Sequence, residues 1–190
     1  MKYFTADIWA GWQGNDAEFD GANRKWKRNR TRYQAGLGPL ASRLGRHGRF
    51  FTDHELHDGR LLLFAVSDWP GPHLGKKFVT PETRLEMAVL AGWRKGVIYR
   101  LFYTGVSDIV VQTKNELFPL ANSRFGDWGY DELLPEKRGS YRHNILFQTG
   151  TEISVAFQSF RFEVQQATAS KLARYAGQTE KRKGPPQKNL

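Results

Sequence analysis

The 190-residue chain has no cysteine. That absence removes thiolate nucleophiles, cysteine zinc sites, iron–sulfur clusters and disulfides together, and it fits a reducing compartment. No run approaches the roughly 18 apolar residues that a membrane-spanning helix needs. The opening Met1-Lys2-Tyr3-Phe4-Thr5-Ala6-Asp7 lacks the apolar heart of a secretory signal. These two absences predict a soluble, cytoplasmic protein. G-x-S-x-G, H-E-x-x-H and the dinucleotide fingerprint are also missing, so none of the reactions they position is indicated. Acidic residues are missing from one long stretch: residues 24–49 hold nine Lys or Arg and no Asp or Glu.

That last absence gives the charge its shape. The net charge is +10. Residues 24–49 and 171–190 together carry +14, which leaves 14 basic against 18 acidic residues elsewhere. Segregated positive charge can attract nucleic acid, acidic protein surfaces or anionic lipid. The alternative is arginine decorating solvent-facing positions. Aromatic residues make up 14% of the chain, enough to bury a core without a metal or disulfide staple.

Periodicity divides the chain near residue 57. Before it, apolar residues recur every three to four positions. Phe4, Ile8 and Trp12 predict a helix capped by Thr5 with Asp7 in its first turn, ended by Gly14-Asn15-Asp16. Phe19, Ala22, Trp26, Tyr33, Leu37, Leu40 and Leu44 mark a longer stripe, with Arg24, Lys25, Lys27, Arg28 and Arg32 mostly off it. Gly36, Gly38 and Pro39 predict a break near residue 36. Pro39 would then start a second short helix ending around 45–48.

After residue 57 the period is two. Arg60 to Val66 is apolar on both faces, as in a central strand. Arg84 to Ala91 alternates and turns through residues 92–96 into Val97–Tyr103, a hairpin. Shorter strands follow at Val106–Gln112 and His143–Gln148. Thr149-Gly150-Thr151 turns into Glu152–Val164, whose apolar phase slips and predicts a bulge near Gln158-Ser159. Residues 67–81 read as a Pro/Gly-rich loop and 113–142 as a long connection with a helical turn at Tyr130–Leu134. A short helix is expected at Ala167–Tyr175, and a disordered basic tail from Gln178. The predicted fold is α+β over residues 1–165: N-terminal helices packed on a mainly antiparallel sheet.

Met1-Lys2-Tyr3-Phe4-Thr5, Leu56-His57-Asp58, Trp128-Gly129-Tyr130-Asp131-Glu132 and Glu152-Ile153-Ser154-Val155-Ala156-Phe157 occur in that order. In this the chain resembles an uncharacterised bacterial family of small cytosolic proteins that begin MKYFT. The basic tail and the loop at 67–81 depart from the family pattern. The resemblance implies an α+β fold and singles out His57, Asp58, Trp128, Tyr130 and Glu132. It implies no activity, so no catalytic residue or cofactor is assigned.

Four segments could carry chemistry. Asp53-His54-Glu55-Leu56-His57-Asp58 is the densest set of metal-ligand types, with His54, His57 and Asp58 as candidate ligands. If helical, it would place His54 and His57 on one face; otherwise it is a connector whose side chains satisfy backbone groups. Asp127, Asp131, Glu132 and Glu136 surround Trp128 and Tyr130, where paired carboxylates could do acid–base work or simply cap a turn and face water. Gly71-Pro72-His73-Leu74-Gly75-Lys76-Lys77 is one residue short of a phosphate loop and lacks its hydroxyl residue. Finally, Arg24, Lys25, Lys27, Arg28, Arg30 and Arg32, with Arg43, Arg46 and Arg49, form a candidate interaction surface. Phosphate contact there would be salt-sensitive and blind to sequence.

The reading favoured by the sequence is a non-enzymatic binding or accessory protein with a protein partner, similar in size and class to immunity proteins. Nucleic-acid binding and a metal-dependent hydrolase are the alternatives.

Overall fold

In the computed structural model, residues 1–54, 56–69, 82–94, 96–113 and 125–176 are described. The loop at 71–77 and the tail from 178 lie outside them. Among the described residues the chain forms helices α1 (Ala6–Gly11), α2 (Asp16–Ser42) and α3 (Phe50–Asp53), then strands β1 (Gly59–Trp69), β2 (Glu82–Leu90), β3 (Val97–Thr104), β4 (Asp108–Gln112), β5 (Asp127–Pro135), β6 (Tyr141–Phe147), β7 (Glu152–Phe157) and β8 (Ser159–Gln166), and helix α4 (Ala169–Ala176). This is the α+β arrangement that the change of period predicts.

The strands form one antiparallel sheet in the order β4-β7-β6-β5-β1-β2-β3-β8. Among the described residues its two halves meet through two residue pairs, Gly59 with Trp128 and Arg60 with Asp127. The chain crosses between halves at two corners. One lies between β3 and β4. The other is Gln158, left out of both ladders between β7 and β8. There the phase of apolar residues slips by one, so Phe157 and Phe160 are both buried despite their odd spacing.

Core residues come from both halves and from the helices that cover them. Leu85, Met87, Val89, Leu101 and Tyr103 face Leu133, Ile145, Ile153, Val155 and Phe157, with Leu37, Leu40, Phe50 and Phe51 closing over them. On β2 the alternation resolves as expected, except that Ala88 is buried too.

Helix α2 begins with a capping box. The Asn15 side chain accepts from the Ala17 and Glu18 amides at 3.1 Å, and the Glu18 carboxylate accepts from the Asn15 amide at 2.9 Å. The helix does not break at Gly36; it runs through Pro39 to Ser42. Pro39 has no N–H to give the Ala35 carbonyl, but Ala35, Gly36, Gly38 and Pro39 all face solvent, where water can take that carbonyl. Leu37, Leu40 and Ala41 on the opposite side are buried, and their packing overrides local propensity. The turn after the helix folds back so closely that a side chain at Gly48 would meet the Ala41 carbonyl oxygen at 1.7 Å.

Three further expectations are corrected. Phe19 is 47% exposed, because the stripe reaches the core only from Ala22 onward. Thr5 precedes α1 without capping it; its hydroxyl bonds the Asp7 side chain instead. Tyr130–Leu134 is not a helical turn but part of β5, because pairing with β6 supplies backbone partners that an isolated turn could not.

Candidate functional site

The segments singled out by resemblance meet at one place, where α1, α2 and β5 come together. The Asp58 amide donates to the Trp128 carbonyl at 2.8 Å, and His57 Nδ1 donates to the Gly129 carbonyl at 2.7 Å. A carbonyl only accepts, so Nδ1 carries a proton. Glu132 is fully buried and accepts from the amides of Lys2 and Tyr3, the latter at 2.8 Å, and from Asn144 Nδ2 at 3.1 Å. It therefore neither caps a turn nor faces water. Phe4 stacks on Tyr130 with centroids 5.5 Å apart, and Asn29 of α2 bonds the Tyr3 carbonyl at 2.8 Å. Trp9, Trp12 and Trp26 pack around the Tyr130 ring.

Beside this cluster runs a second polar chain, reaching into the core. Asp131 accepts from Trp128 Nε1 and from His143 Nε2, each at 3.1 Å. His143 is completely buried, and its Nδ1 lies 2.7 Å from the Tyr103 hydroxyl. Since the carboxylate can only accept, His143 holds its proton on Nε2 and Tyr103 donates to Nδ1. Burial, and secondarily the Asp131 charge, push the Tyr103 hydroxyl well above its ordinary range, which keeps it a donor. Every member of this chain has a partner.

A cleft of about 340 Å³ opens between α2, the segment after α3, and β5. Trp26, Arg30, Tyr33, Asp53, His54, His57, Tyr130 and Asp131 line it. Tyr33 accepts the Leu133 amide at 2.8 Å. Its own hydroxyl proton is held more tightly than usual, through burial and then the Asp131 charge.

The proposed metal ligands do not converge. The helix stops at Asp53, and His54 is extended (φ −115°, ψ 137°), so His54 and His57 share no helical face. His54 turns toward Tyr99 and Phe162, and its Nδ1 lies 3.2 Å from the Tyr99 hydroxyl. His57 turns the other way, onto Tyr130 and Trp9. Asp58 lies 3.6 Å from His57 Nε2. Among the described residues no group of three His, Asp or Glu side chains forms a metal cage. The remaining acids are ion-paired: Asp127 with Arg60, and Glu136 with Arg142.

Burial, then the Arg94 charge, hold His54 below the ordinary histidine value of 6.5. Burial, then Arg46, Arg161 and Arg49, do the same to His47. The folded chain thus binds fewer protons than the unfolded one. The stability this contributes is present above about pH 6.5 and is lost as pH falls through the lowered values. Thermal melts should show a higher midpoint at about pH 7.5 than at about pH 5.5, and His54→Asn should reduce the difference. A midpoint that rises on acidification would contradict this sign.

The basic residues divide into groups. Arg24, Arg28 and Arg32 stand at i, i+4 and i+8 on the exposed side of α2, with Lys27 next to them. None of the four is ion-paired among the described residues. Lys25 leaves the set: it is half-buried and paired with Asp7. Arg30 lies over the Trp26 ring at 4.9 Å. Arg43, Arg46 and Arg49 are exposed around the turn that follows.

Trp26 and Tyr33, both on the apolar stripe of α2, are only partly buried and form the cleft wall, where the stripe pattern predicts core. Sequence reasoning does not separate the two. It also missed the Tyr103–His143–Asp131 chain, because its members come from three strands and share no spacing. Comparison of the chain with protein-family models, with curated proteins and with solved structures finds no match.

Proposed function

We propose that this chain is a non-enzymatic binding or accessory protein that engages an acidic macromolecule, foremost an acidic protein surface, through the outer face of α2. An immunity-type role fits that reading. The carrying observation is the run Arg24, Arg28, Arg32. Like charges four residues apart repel, costing a helix about 0.2–0.5 kcal/mol per pair. The three arginines form two such pairs, with no acidic residue of the described chain relieving them, so the helix carries a charge pattern that an external anion would relieve.

Nucleic-acid binding is the second reading. All three positions are Arg, whose guanidinium fork matches phosphate geometry.

The test is the triple variant Arg24→Glu/Arg28→Glu/Arg32→Glu, titrated against polyglutamate and against random-sequence DNA and RNA at several salt concentrations. The wild type should bind a polyanion with affinity that falls steeply with salt, and the variant about 30-fold or more weaker at low salt. The melting temperature of the variant should be unchanged or higher. Equal binding by both proteins would remove the reading. Tighter binding to nucleic acid than to polyglutamate would favour the second.

A further inference from the structure

We propose that the cleft beneath α2 is a binding site for an organic cation, a guanidinium or alkylammonium group. The proposal does not depend on the arginine run, which lies on the outer face of the same helix.

Its floor carries Asp131. Both oxygens of that carboxylate accept from ring N–H groups, Trp128 Nε1 and His143 Nε2. No Lys or Arg of the described chain is ion-paired with it. Its side chain is 23% exposed, so the charge is largely withdrawn from water yet open to the cleft. Such a charge favours a cation in contact with it, because Coulomb attraction strengthens as water is displaced. Asp53, which also lines the cleft, bonds only the Thr52 hydroxyl, at 2.6 Å, and has no basic partner among the described residues.

The walls suit the same guest. Trp26 lines the cleft with Tyr33 and Tyr130 beside it, and an aromatic face attracts a cation within about 6 Å of its centroid. The chain itself demonstrates this: the Arg30 guanidinium sits over Trp26 at 4.9 Å. Arg30 is exposed and ion-paired with neither aspartate, so it occupies an aromatic wall without neutralising the floor. His54, facing Tyr99, is held below the ordinary histidine value by burial and then by Arg94, which disfavours a competing charge there. A cleft of about 340 Å³ is near the lower end of the range for small-ligand sites, enough for one such head group.

The experiment is calorimetric titration of the full chain with agmatine, alongside the NMR signal of the Trp26 indole N–H. N-acetyl-arginine amide serves as a second probe, and sodium chloride at matched ionic strength as the control. Saturable one-to-one binding is expected at or below about 1 mM, with the Trp26 signal shifting and the salt control inert. If the amide binds as well as agmatine, the natural guest is an arginine side chain. If agmatine binds and the amide does not, the guest is a free amine.

Arg30→Ala should tighten agmatine binding by about threefold, because it vacates the Trp26 face. Asp131→Asn should weaken it by about tenfold or more. Asp53→Asn, on an exposed side chain, should weaken it severalfold, and it keeps the test decisive if Asp131→Asn does not fold. Absence of saturation by about 10 mM in both wild type and Arg30→Ala would overturn the assignment. So would binding left unchanged by the aspartate variants that fold.

Discussion

Replacing His143 by alanine is expected to lower the unfolding free energy by about 4 kcal/mol. Two costs combine. The ring is completely buried beside Phe51, Tyr103 and Trp128, so its removal leaves a void among aromatic side chains. It also links the Tyr103 hydroxyl to Asp131, so its loss orphans a buried donor and half of a carboxylate. Urea denaturation with an unchanged slope would report the loss as stability rather than as a change in the unfolded state. Tyr103→Phe should cost less, about 1–2 kcal/mol, because only one bond is lost and the ring stays. A cycle that pairs Tyr103→Phe with His143→Leu should show coupling, since the second change removes the acceptor that the first leaves empty. A loss below about 1 kcal/mol for His143→Ala would mean that the pocket collapses or rehydrates at little cost, against the close packing described here.

Glu132→Ala is expected to cost about 3 kcal/mol. The carboxylate is fully buried, yet its partners are backbone amides and one side-chain amide, not a cation. Three hydrogen bonds converge on it from residues 2, 3 and 144. Removal leaves those donors facing an apolar gap. The effect should be local as well as global: hydrogen exchange at Lys2 and Tyr3 should accelerate far more than exchange in β2 and β3, which Glu132 does not touch. Glu132→Gln keeps one acceptor but turns an NH₂ group toward amide donors, so it should fall between wild type and alanine. Unchanged exchange at Lys2 and Tyr3 would show that Glu132 does not hold the opening segment.

The predictable parts of the fold are those where one pattern runs unopposed. The change from helical to alternating spacing near residue 57, the hairpin around 92–96 and the change of phase at Gln158 all follow from which side chains must face inward, although at Gln158 the predicted single strand with a bulge is in fact two strands, β7 and β8, joined at a corner. The errors arise where two tendencies conflict. At Gly36–Pro39 local propensity argues for a break, but burial of Leu37 and Leu40 holds the helix. At Tyr130–Leu134 a short mixed segment resembles a turn, but its strand partner lies ten or so residues ahead and decides otherwise. The site was legible only in outline. The basic character of α2 could be read directly, but that Lys25 is paired with Asp7 while Arg24, Arg28 and Arg32 are not depends on where α1 docks. The Asp53–Asp58 segment held the right residues for the wrong reason: His54 and His57 face opposite neighbours, and what they share is the wall of a cleft.

The clasp between Glu132 and the first residues also bears on how the chain is made. Lys2 and Tyr3 emerge about 130 residues ahead of the carboxylate that fixes them. At ordinary translation rates that interval is on the order of ten seconds. For that time the aromatic opening, Tyr3 and Phe4 included, has no β5 to rest on. Such long-range closure slows folding. The opening segment should therefore dock last, and until then it is the stretch a holding chaperone would find exposed.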